Sequence, residues 1–217
     1  MGDAARKAQL FEEVARVGKA LGNGKRLELL DLLAQRERTV EALARAAGLG
    51  LTTASAHLQT LKQAGLVATR RDGTRVYCRL AGPDVADLYA RLRDLAATRV
   101  AAVDVARQAY LGADTAEVDR AELLRRTQAG DLVVLDVRPA DEYAAGHIPG
   151  AIGIPLDQLA ERIAELPDGV EVIAYCRGRF CVFAHDAVRL LNARGRAARR
   201  LRDGMLEWQL AGLPVAA

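Results

Sequence analysis

The sequence predicts a two-domain chain, with an α+β domain in its first half and an α/β domain in its second half. Its 217 residues are enough for two domains of about 100 residues each. Helical periodicity dominates up to Gly65, and a short hairpin pattern follows. Beyond residue 114, apolar strand segments alternate with helical segments, which is typical of a parallel sheet. We therefore expect one domain at residues 1–110 and another at residues 114–217.

Charge is distributed unequally between the two halves. Residues 1–110 contain 18 Lys and Arg against 12 Asp and Glu, whereas residues 111–217 contain 13 against 16. A basic first half and a mildly acidic second half suggest that only the first half meets a polyanion. Random scatter would explain the difference equally well, so the charge needs support from motifs.

The composition predicts a cytoplasmic protein. The first ten residues hold charged side chains and no apolar segment, so we expect no signal peptide. No apolar run approaches the roughly 20 residues that span a bilayer, so we expect no membrane contact. Three cysteines, an odd number, do not make a disulfide framework, and reduced thiols are usual in the cytoplasm.

The first half is predicted to hold four short helices, a hairpin and one long helix. Apolar residues recur at spacings of three and four, and Asn23, Thr39 and the glycines after residue 47 mark helix ends. The dipeptide Asp72-Gly73 between two extended segments is a strong hairpin signal. The helices are expected at residues 4–21, 24–34, 39–47, 52–64 and 85–110, and the hairpin strands at residues 66–71 and 74–80.

This order of elements predicts a winged helix-turn-helix. The helix at residues 51–64 can enter a major groove, with Ala54, Leu58 and Leu61, followed by Leu66, facing inward. The side chains of this helix that we expect to contact DNA are Thr52, Thr53, Ser55, His57, Gln59 and Lys62. The hairpin would add phosphate contacts from Arg70, Arg71 and Arg75. The alternative is a plain surface role for His57 and a solvated turn for the three arginines.

The segment LTTASAHLQTLKQAGLVATRRDGTRVYCRL resembles the recognition helix and wing of ArsR-type (arsenic-repressor-like) regulators. The whole resemblance covers about residues 10–108. The resemblance implies a homodimer, formed by the first and last helices, that binds a pseudo-palindromic double-stranded DNA operator. The metal sensors of that family use Cys pairs before the turn, or Asp and His on the last helix. This chain has TVEALARAAGLG at the first place and no His at residues 83–110, so we expect no metal. Cys78 is more typical of a small core or surface residue than of a sensor.

The chemistry of the second half centres on Cys176. A buried strand at residues 170–175 ends there, and a short loop leads to a helix at residues 183–192. Open α/β sheets place ligands at the carboxyl ends of their strands. Backbone N–H groups of the loop, together with Arg177 and Arg179, would favour the thiolate. The alternative is a buried structural cysteine at the end of a strand.

Three motifs favour the reactive cysteine. VVLDVRPADEYAAGHIPGAIGIPLDQL, YCRGRFC and GMLEWQLAGLPV resemble the first signature, active loop and closing segment of the rhodanese family, over about residues 115–217. The resemblance implies that Cys176 accepts sulfane sulfur, from thiosulfate or a persulfide, as a persulfide without a cofactor. Asp136, Arg138 and Glu142 match supporting positions near the site. The expected loop residues are Arg177, Gly178, Arg179, Phe180, Cys181 and Val182.

Some roles stay open at this point. A phosphatase or arsenate reductase of this fold would need C-x5-R, and a valine at position 182 favours sulfur transfer instead. Cys181 is either a resolving thiol for Cys176 or a small residue at the start of the helix. We expect structural roles for His147 and His185.

Together these features predict a DNA-binding transcriptional regulator whose rhodanese-like domain takes up sulfur and responds to it. The first alternative is a sulfurtransferase enzyme with an auxiliary DNA-binding domain. The second is a DNA-binding module joined to an inactive rhodanese scaffold, against which the presence of Cys176 argues.

Overall fold

The computed structural model describes residues 2–130 and 132–217. The chain forms two compact units, Met1–Arg91 and Leu92–Ala217. Within the described residues, no helix combines the length and the apolar character that crossing a bilayer requires.

The four short helices predicted for the first unit are confirmed. Two of them begin at the predicted caps, since Asn23 Oδ1 accepts the N–H of Arg26 at 3.1 Å and Thr39 Oγ1 accepts the N–H of Ala42 at 3.2 Å. The helix ends match the glycine signals, because Gly65 has a φ of +74°. The helices are α1 (Gly2–Leu21), α2 (Gly24–Gln35), α3 (Val40–Ala46) and α4 (Leu51–Gln63).

The predicted hairpin is confirmed and belongs to a three-stranded antiparallel sheet. Its strands are β2 (Val67–Asp72) and β3 (Arg75–Leu80), and Asp72 pairs with Arg75 across the turn. Gly73 adopts a φ of +58°, a conformation that favours glycine in a tight turn. A two-residue strand that the sequence did not predict, β1 (Arg38–Thr39), pairs with the other side of β3.

The core of the first unit is aliphatic. The inner face predicted for α4 is confirmed, because Ala54, Leu58 and Leu61 are buried together with Leu66. They pack with leucines of α2 and α3. Cys78 on β3 is also buried, and its burial raises the pKa of its thiol, so this cysteine has the environment of a small core residue.

The prediction of one long helix at residues 85–110 is wrong. The structure contains α5 (Pro83–Arg99) and α6 (Ala101–Leu111), separated by Val100 in an extended conformation with φ −117° and ψ 99°. Helix α5 begins in the first unit and ends in the second, whose first residue is Leu92. The functional division at residues 110–114 therefore stays a prediction.

The second unit is built around a five-stranded parallel sheet in the order β4-β8-β7-β5-β6. The α/β class predicted for this half is confirmed. Strand β7, which leads into Cys176, lies at the centre between β8 and β5. The strands are β4 (Glu117–Val118), β5 (Leu132–Asp136), β6 (Ile152–Gly153), β7 (Glu171–Tyr175) and β8 (Ala198–Leu201).

Both faces of this sheet are covered, which explains the continuous apolar sequence of β7. Val172 and Ala174 belong to the apolar cluster on one face, while Ile173 and Tyr175 belong to the cluster that contains Trp208 on the other. The helices of this unit after α6 are α7 (Arg120–Ala129), α8 (Ala140–Ala145), α9 (Leu156–Arg162), α10 (Val182–Ala193) and α11 (Met205–Leu210), and a 3-10 turn covers Ile163–Glu165.

Candidate active site and DNA-binding surface

Cys176 lies where the sequence predicts it, directly after the central strand β7 and before the loop that leads to α10. The N–H groups of Met205 and Leu206 donate to the carbonyl oxygens of Cys176 and Arg177, at 2.9 and 3.0 Å. A Cβ on Gly204 would lie 2.3 Å from the backbone nitrogen of Gly178. Glycine at position 204 therefore allows α11 to pack directly on the loop.

A buried ion pair supports the carboxyl edge of the sheet beside the loop. Asp136 ends β5, and its carboxylate binds the Arg138 guanidinium at 2.6 Å, with both side chains fully buried. Asp136 also accepts the backbone N–H of Arg138 at 2.9 Å, and Arg138 Nη2 donates to the carbonyl of Gly146 at 2.7 Å. This geometry stabilises the turn after β5, and neither group contacts a thiol through these bonds.

Both arginines of the loop are held by carboxylates. Arg177 donates to both oxygens of the buried Glu142, with the shortest contact at 2.6 Å. Arg179 binds Asp203 at 3.0 Å. The sequence predicts free positive charge near the sulfur, but these carboxylates neutralise much of it. The main effect of these two ion pairs is to hold the loop backbone in one conformation.

The loop brings two reduced thiols together. The Cys176 side chain is buried, with the residue 2% exposed, and its Sγ lies 3.3 Å from the carbonyl oxygen of Cys181. Cys181 is partly exposed and precedes the first residue of α10. Each thiol also shifts the pKa of the other. The structure therefore places Cys181 as a direct partner of Cys176.

The pKa values of the two thiols are shifted in opposite directions. Burial raises the pKa of the Cys176 thiol well above its ordinary value, although backbone N–H groups of Ala184 and Gly178 act in the opposite direction. The hydrogen bond from Cys176 lowers the pKa of the Cys181 thiol, and the backbone and charge of Arg177 contribute to this shift. These shifts favour ionisation of Cys181 over Cys176.

The remaining loop residues and the two histidines have packing roles in the structure. Phe180 lies under the Arg93 guanidinium at 5.4 Å, and Val182 is the first residue of α10. The His147 ring stacks on Tyr143 at 3.9 Å. His185 is buried rather than on an outer helix face, and burial lowers its pKa to about 4, so its ring is neutral at physiological pH.

A cavity of about 380 Å³ opens beside the carboxyl ends of β5 and β6. Val137 and Phe183 line it, and both pack in the apolar cluster that contains Cys176. The remaining lining residues are Pro139, Ala140, Pro155, Leu156, Asp157 and Gln158. Its mainly apolar wall has the character of a site for the organic part of a small molecule.

The sequence reasoning missed two residues that contact the loop. Arg93 of α5 binds Glu207 of α11 at 2.5 Å, and both side chains are almost completely buried. Glu207 Oε2 also accepts the N–H of Gly204 at 2.8 Å. Glu207 lies within the closing motif, but no local signal connects Arg93 to a loop more than eighty positions later in the chain.

The first unit presents the residues predicted to contact DNA on the outer side of α4 and on the hairpin. Thr52, Thr53, Ser55, Gln59 and Lys62 are exposed, whereas His57 is half-buried. Lys62 Nζ donates to Thr69 Oγ1 at 2.9 Å, which orients it along β2. These short polar groups on an exposed helix face have the chemistry required for contacts with base edges and phosphates.

The three hairpin arginines differ in their freedom to bind phosphate. Arg70 binds Glu37 at 2.6 Å and Asp72 at 3.4 Å, and its guanidinium lies 4.3 Å from the centre of the Tyr77 ring. Arg71 and Arg75 are exposed. Binding of Arg70 to phosphate would compete with its two carboxylate partners.

We expect Arg71→Ala and Arg75→Ala each to reduce the slope of log binding constant against log salt by about 0.9, because each removes one phosphate contact. Arg70→Ala should reduce the slope less, since its charge is already compensated. Titrations of duplex DNA of arbitrary sequence at several salt concentrations measure these slopes. Equal slopes for all three variants and the unmodified protein would exclude the hairpin from the DNA contact.

Comparisons with known proteins match two parts of the chain to two families. Residues 23–69 match the bacterial regulatory protein arsR family, and residues 119–211 match the rhodanese-like domain family. A sulfurtransferase of Allochromatium vinosum is 31% identical over 102 residues, which are 46% of this chain and 94% of that protein. The homodimeric winged helix-turn-helix DNA-binding domain of a Mycobacterium bovis protein is 61% identical, with a TM-score of 0.42, and the match covers 44% of this chain and 88% of that one.

One relative matches nearly the whole chain. The HTH-type transcriptional regulator Rv0324 of Mycobacterium tuberculosis is 58% identical over 214 residues, which are 99% of this chain and 95% of that protein. The chain therefore belongs to the ArsR-type transcriptional regulators that carry a rhodanese-like domain at their C-terminal end.

Proposed function

We propose that this regulator takes sulfane sulfur onto Cys176 as a persulfide and that sulfur loading changes its affinity for DNA. The observation that supports this most directly is the pair of reduced cysteines on the loop after the central strand, where Cys176 Sγ donates to the carbonyl oxygen of Cys181. Related folds bind their ligands at this edge of a parallel sheet. The resemblance of the second unit to sulfurtransferases agrees with this chemistry.

The two thiols have complementary roles in this proposal. Cys181 ionises first, so its thiolate takes the proton of Cys176 as Cys176 attacks. The Cys176 thiolate that forms has the higher pKa of the two, and a thiolate with a higher pKa is the stronger nucleophile. Cys181 therefore acts as a base for Cys176, and it could later resolve the persulfide as the second thiol.

The transfer step balances without an added oxidant or reductant. With thiosulfate, the Cys176 thiolate forms a bond to the outer sulfur, and the sulfur–sulfur bond of thiosulfate breaks. Its electron pair leaves with sulfite, and Cys176 retains a persulfide anion. With a low-molecular-weight persulfide as the donor, the leaving group is the corresponding thiolate. The apolar cavity beside β5 and β6 suits the organic part of such a donor.

For the first unit, we propose that a homodimer binds a pseudo-palindromic operator in the cytoplasm. Membership of the ArsR family supports DNA binding through α4 and the hairpin. Helix α1 leaves Leu10, Phe11 and Val14 more than 60% exposed, and adjacent apolar side chains of this kind favour an interface. We retain residues 1–110 and 114–217 as the DNA-binding and sulfur-accepting parts.

A sulfurtransferase enzyme with an auxiliary DNA-binding domain is the second candidate. The similarity to the Allochromatium vinosum sulfurtransferase over almost its full length favours it. An enzyme should continue to turn over thiosulfate when a thiol acceptor is supplied. A sensor should take up about one sulfur atom per chain and then stop. Steady-state turnover with an added thiol separates the two.

Intact mass after exposure to thiosulfate or a persulfide donor tests the sulfur chemistry. We expect a gain of about 32 Da, one sulfur atom, on the unmodified protein and none on Cys176→Ser. Cys181→Ser should take up sulfur more slowly, because the base is removed while the nucleophile remains. An undiminished gain on Cys176→Ser, mapped to Cys181, would reverse the proposed roles of the two thiols.

A further inference from the structure

Arg93 of the second unit lies against the active loop, although no sequence motif identifies it. The guanidinium of Arg93 on α5 lies 5.4 Å from the centre of the Phe180 ring. Its Nη1 lies 3.2 Å from the place that a Cβ on Gly178 would occupy. The Arg93 side chain is only 5% exposed, so this contact with the loop is a buried one.

Glu207 connects Arg93 to the backbone at Cys176. Arg93 Nη2 donates to Glu207 Oε1 at 2.5 Å, and Glu207 Oε2 accepts the N–H of Gly204 at 2.8 Å. Glu207 thereby caps α11, whose Met205 N–H donates to the carbonyl oxygen of Cys176 at 2.9 Å. Arg93 is thus linked to Glu207 and Glu207 to Gly204 by hydrogen bonds, and the next residue, Met205, bonds to Cys176.

Arg93 also has a donor that it does not use. Among the described residues, its Nη1 is buried and has no hydrogen-bond acceptor. A buried donor without an acceptor is unfavourable. In one arrangement of the loop Nη1 has no acceptor, and in another an acceptor would lie against it. The charged donor would stabilise the second arrangement relative to the first. A contact that differs between two states is what coupling between sites requires.

We propose that Arg93 is a positioning residue that reports the sulfur-loaded state of the loop to helix α5. Loading replaces the Cys176 thiol with a larger, anionic persulfide, and the loop rearranges so that a loop carbonyl or the persulfide anion accepts from Arg93 Nη1. Residues 83–91 of the same helix belong to the first unit, so α5 is the covalent route towards the DNA-binding residues. This inference rests on the proposed sulfur-loading function.

The test compares Arg93→Gln with Arg91→Gln in the full chain. Arg91 lies two positions earlier on α5, and its side chain is 78% exposed beside Asp87, so its loss should change nothing. The dissociation constant for a duplex selected in vitro is measured with and without prior loading by thiosulfate, and intact mass confirms the loading. Fluorescence of Trp208, the single tryptophan and the neighbour of Glu207, reports whether α11 responds.

We expect loading to change the dissociation constant of the unmodified protein and of Arg91→Gln by roughly fivefold or more. Arg93→Gln should still gain one sulfur atom, but its dissociation constant should change less than about twofold and its Trp208 emission should not respond. A full DNA response in a loaded Arg93→Gln variant would overturn the inference while leaving the proposed function intact.

Glu207→Gln provides an independent arm in case Arg93→Gln does not fold or does not load. The amide oxygen can still accept the Gly204 N–H and cap α11. Arg93 loses its charged partner on α11 and keeps Asp94, which binds it at 3.1 Å. Loss of the DNA response in a loaded Glu207→Gln variant supports the role of Arg93, and a full response overturns it. Absence of loading in the unmodified protein would instead refute the proposed function itself.

Discussion

Replacement of Asp136 by asparagine is expected to lower the free energy of unfolding of the second unit by about 3–5 kcal/mol. The carboxylate binds the Arg138 guanidinium at 2.6 Å, and both side chains are fully buried. Asparagine preserves the volume but removes the negative charge, so the buried guanidinium loses its paired carboxylate. The loss is large because the penalty is the desolvation of an unpaired charge rather than the loss of one hydrogen bond.

Urea denaturation followed by Trp208 fluorescence measures this effect, because Trp208 lies in the core of the second unit. The control is Asp168→Ala, which removes an exposed carboxylate beside Arg196. Surface pairs of this kind contribute about 0–1 kcal/mol, so the control should unfold like the unmodified protein. An Asp136→Asn variant as stable as the control would show that the pair is not essential to this edge of the sheet.

The second large effect concerns the ionisation of Cys181. Its pKa is lowered first by the hydrogen bond from Cys176, so Cys176→Ala should raise that pKa and leave less thiolate at neutral pH. Alkylation of Cys181 at neutral pH should therefore be slower in Cys176→Ala, because the thiolate is the reactive form. Cys176→Ser should have a smaller effect, because the serine hydroxyl can donate in place of the thiol.

The measurement is the rate of iodoacetamide labelling of Cys181 against pH, read by mass spectrometry. Because the pKa of Cys181 is lowered in the unmodified protein, its labelling should reach half of the maximum at a lower pH than in Cys176→Ala. Buried Cys78 should remain unlabelled in the folded protein and serves as an internal control. Identical pH profiles in the three proteins would exclude the hydrogen bond as the cause.

The helix-turn-helix is the part of the fold that the sequence predicts best, because its signals are local. Each signal determines the structure of residues only a few positions away. These signals are the caps at Asn23 and Thr39, the glycine after α4 and the Asp72-Gly73 turn. The break at Val100 has no such signal, since neither glycine nor proline is near it. Strands β4 and β6 have two residues each and are formed by pairing with strands distant in the sequence.

The position of the active loop could be predicted, but its electrostatics could not. A strand ending at Cys176 locates the thiol by topology alone. The protonation order of the two cysteines depends on burial, and the loop arginines are neutralised by Glu142 and Asp203, which lie far from them in the sequence. Such contacts exist only after the chain folds, so the pKa shifts of the two thiols could not be read from the sequence.

The central claim is that sulfur on the second unit alters DNA binding by the first. The most direct test measures the dissociation constant of the selected duplex for the unmodified protein and Cys176→Ser, each with and without a sulfane-sulfur donor. We predict that the donor changes the value for the unmodified protein alone, by roughly fivefold or more. Four equal dissociation constants, with the sulfur adduct verified on the unmodified protein, would contradict the claim.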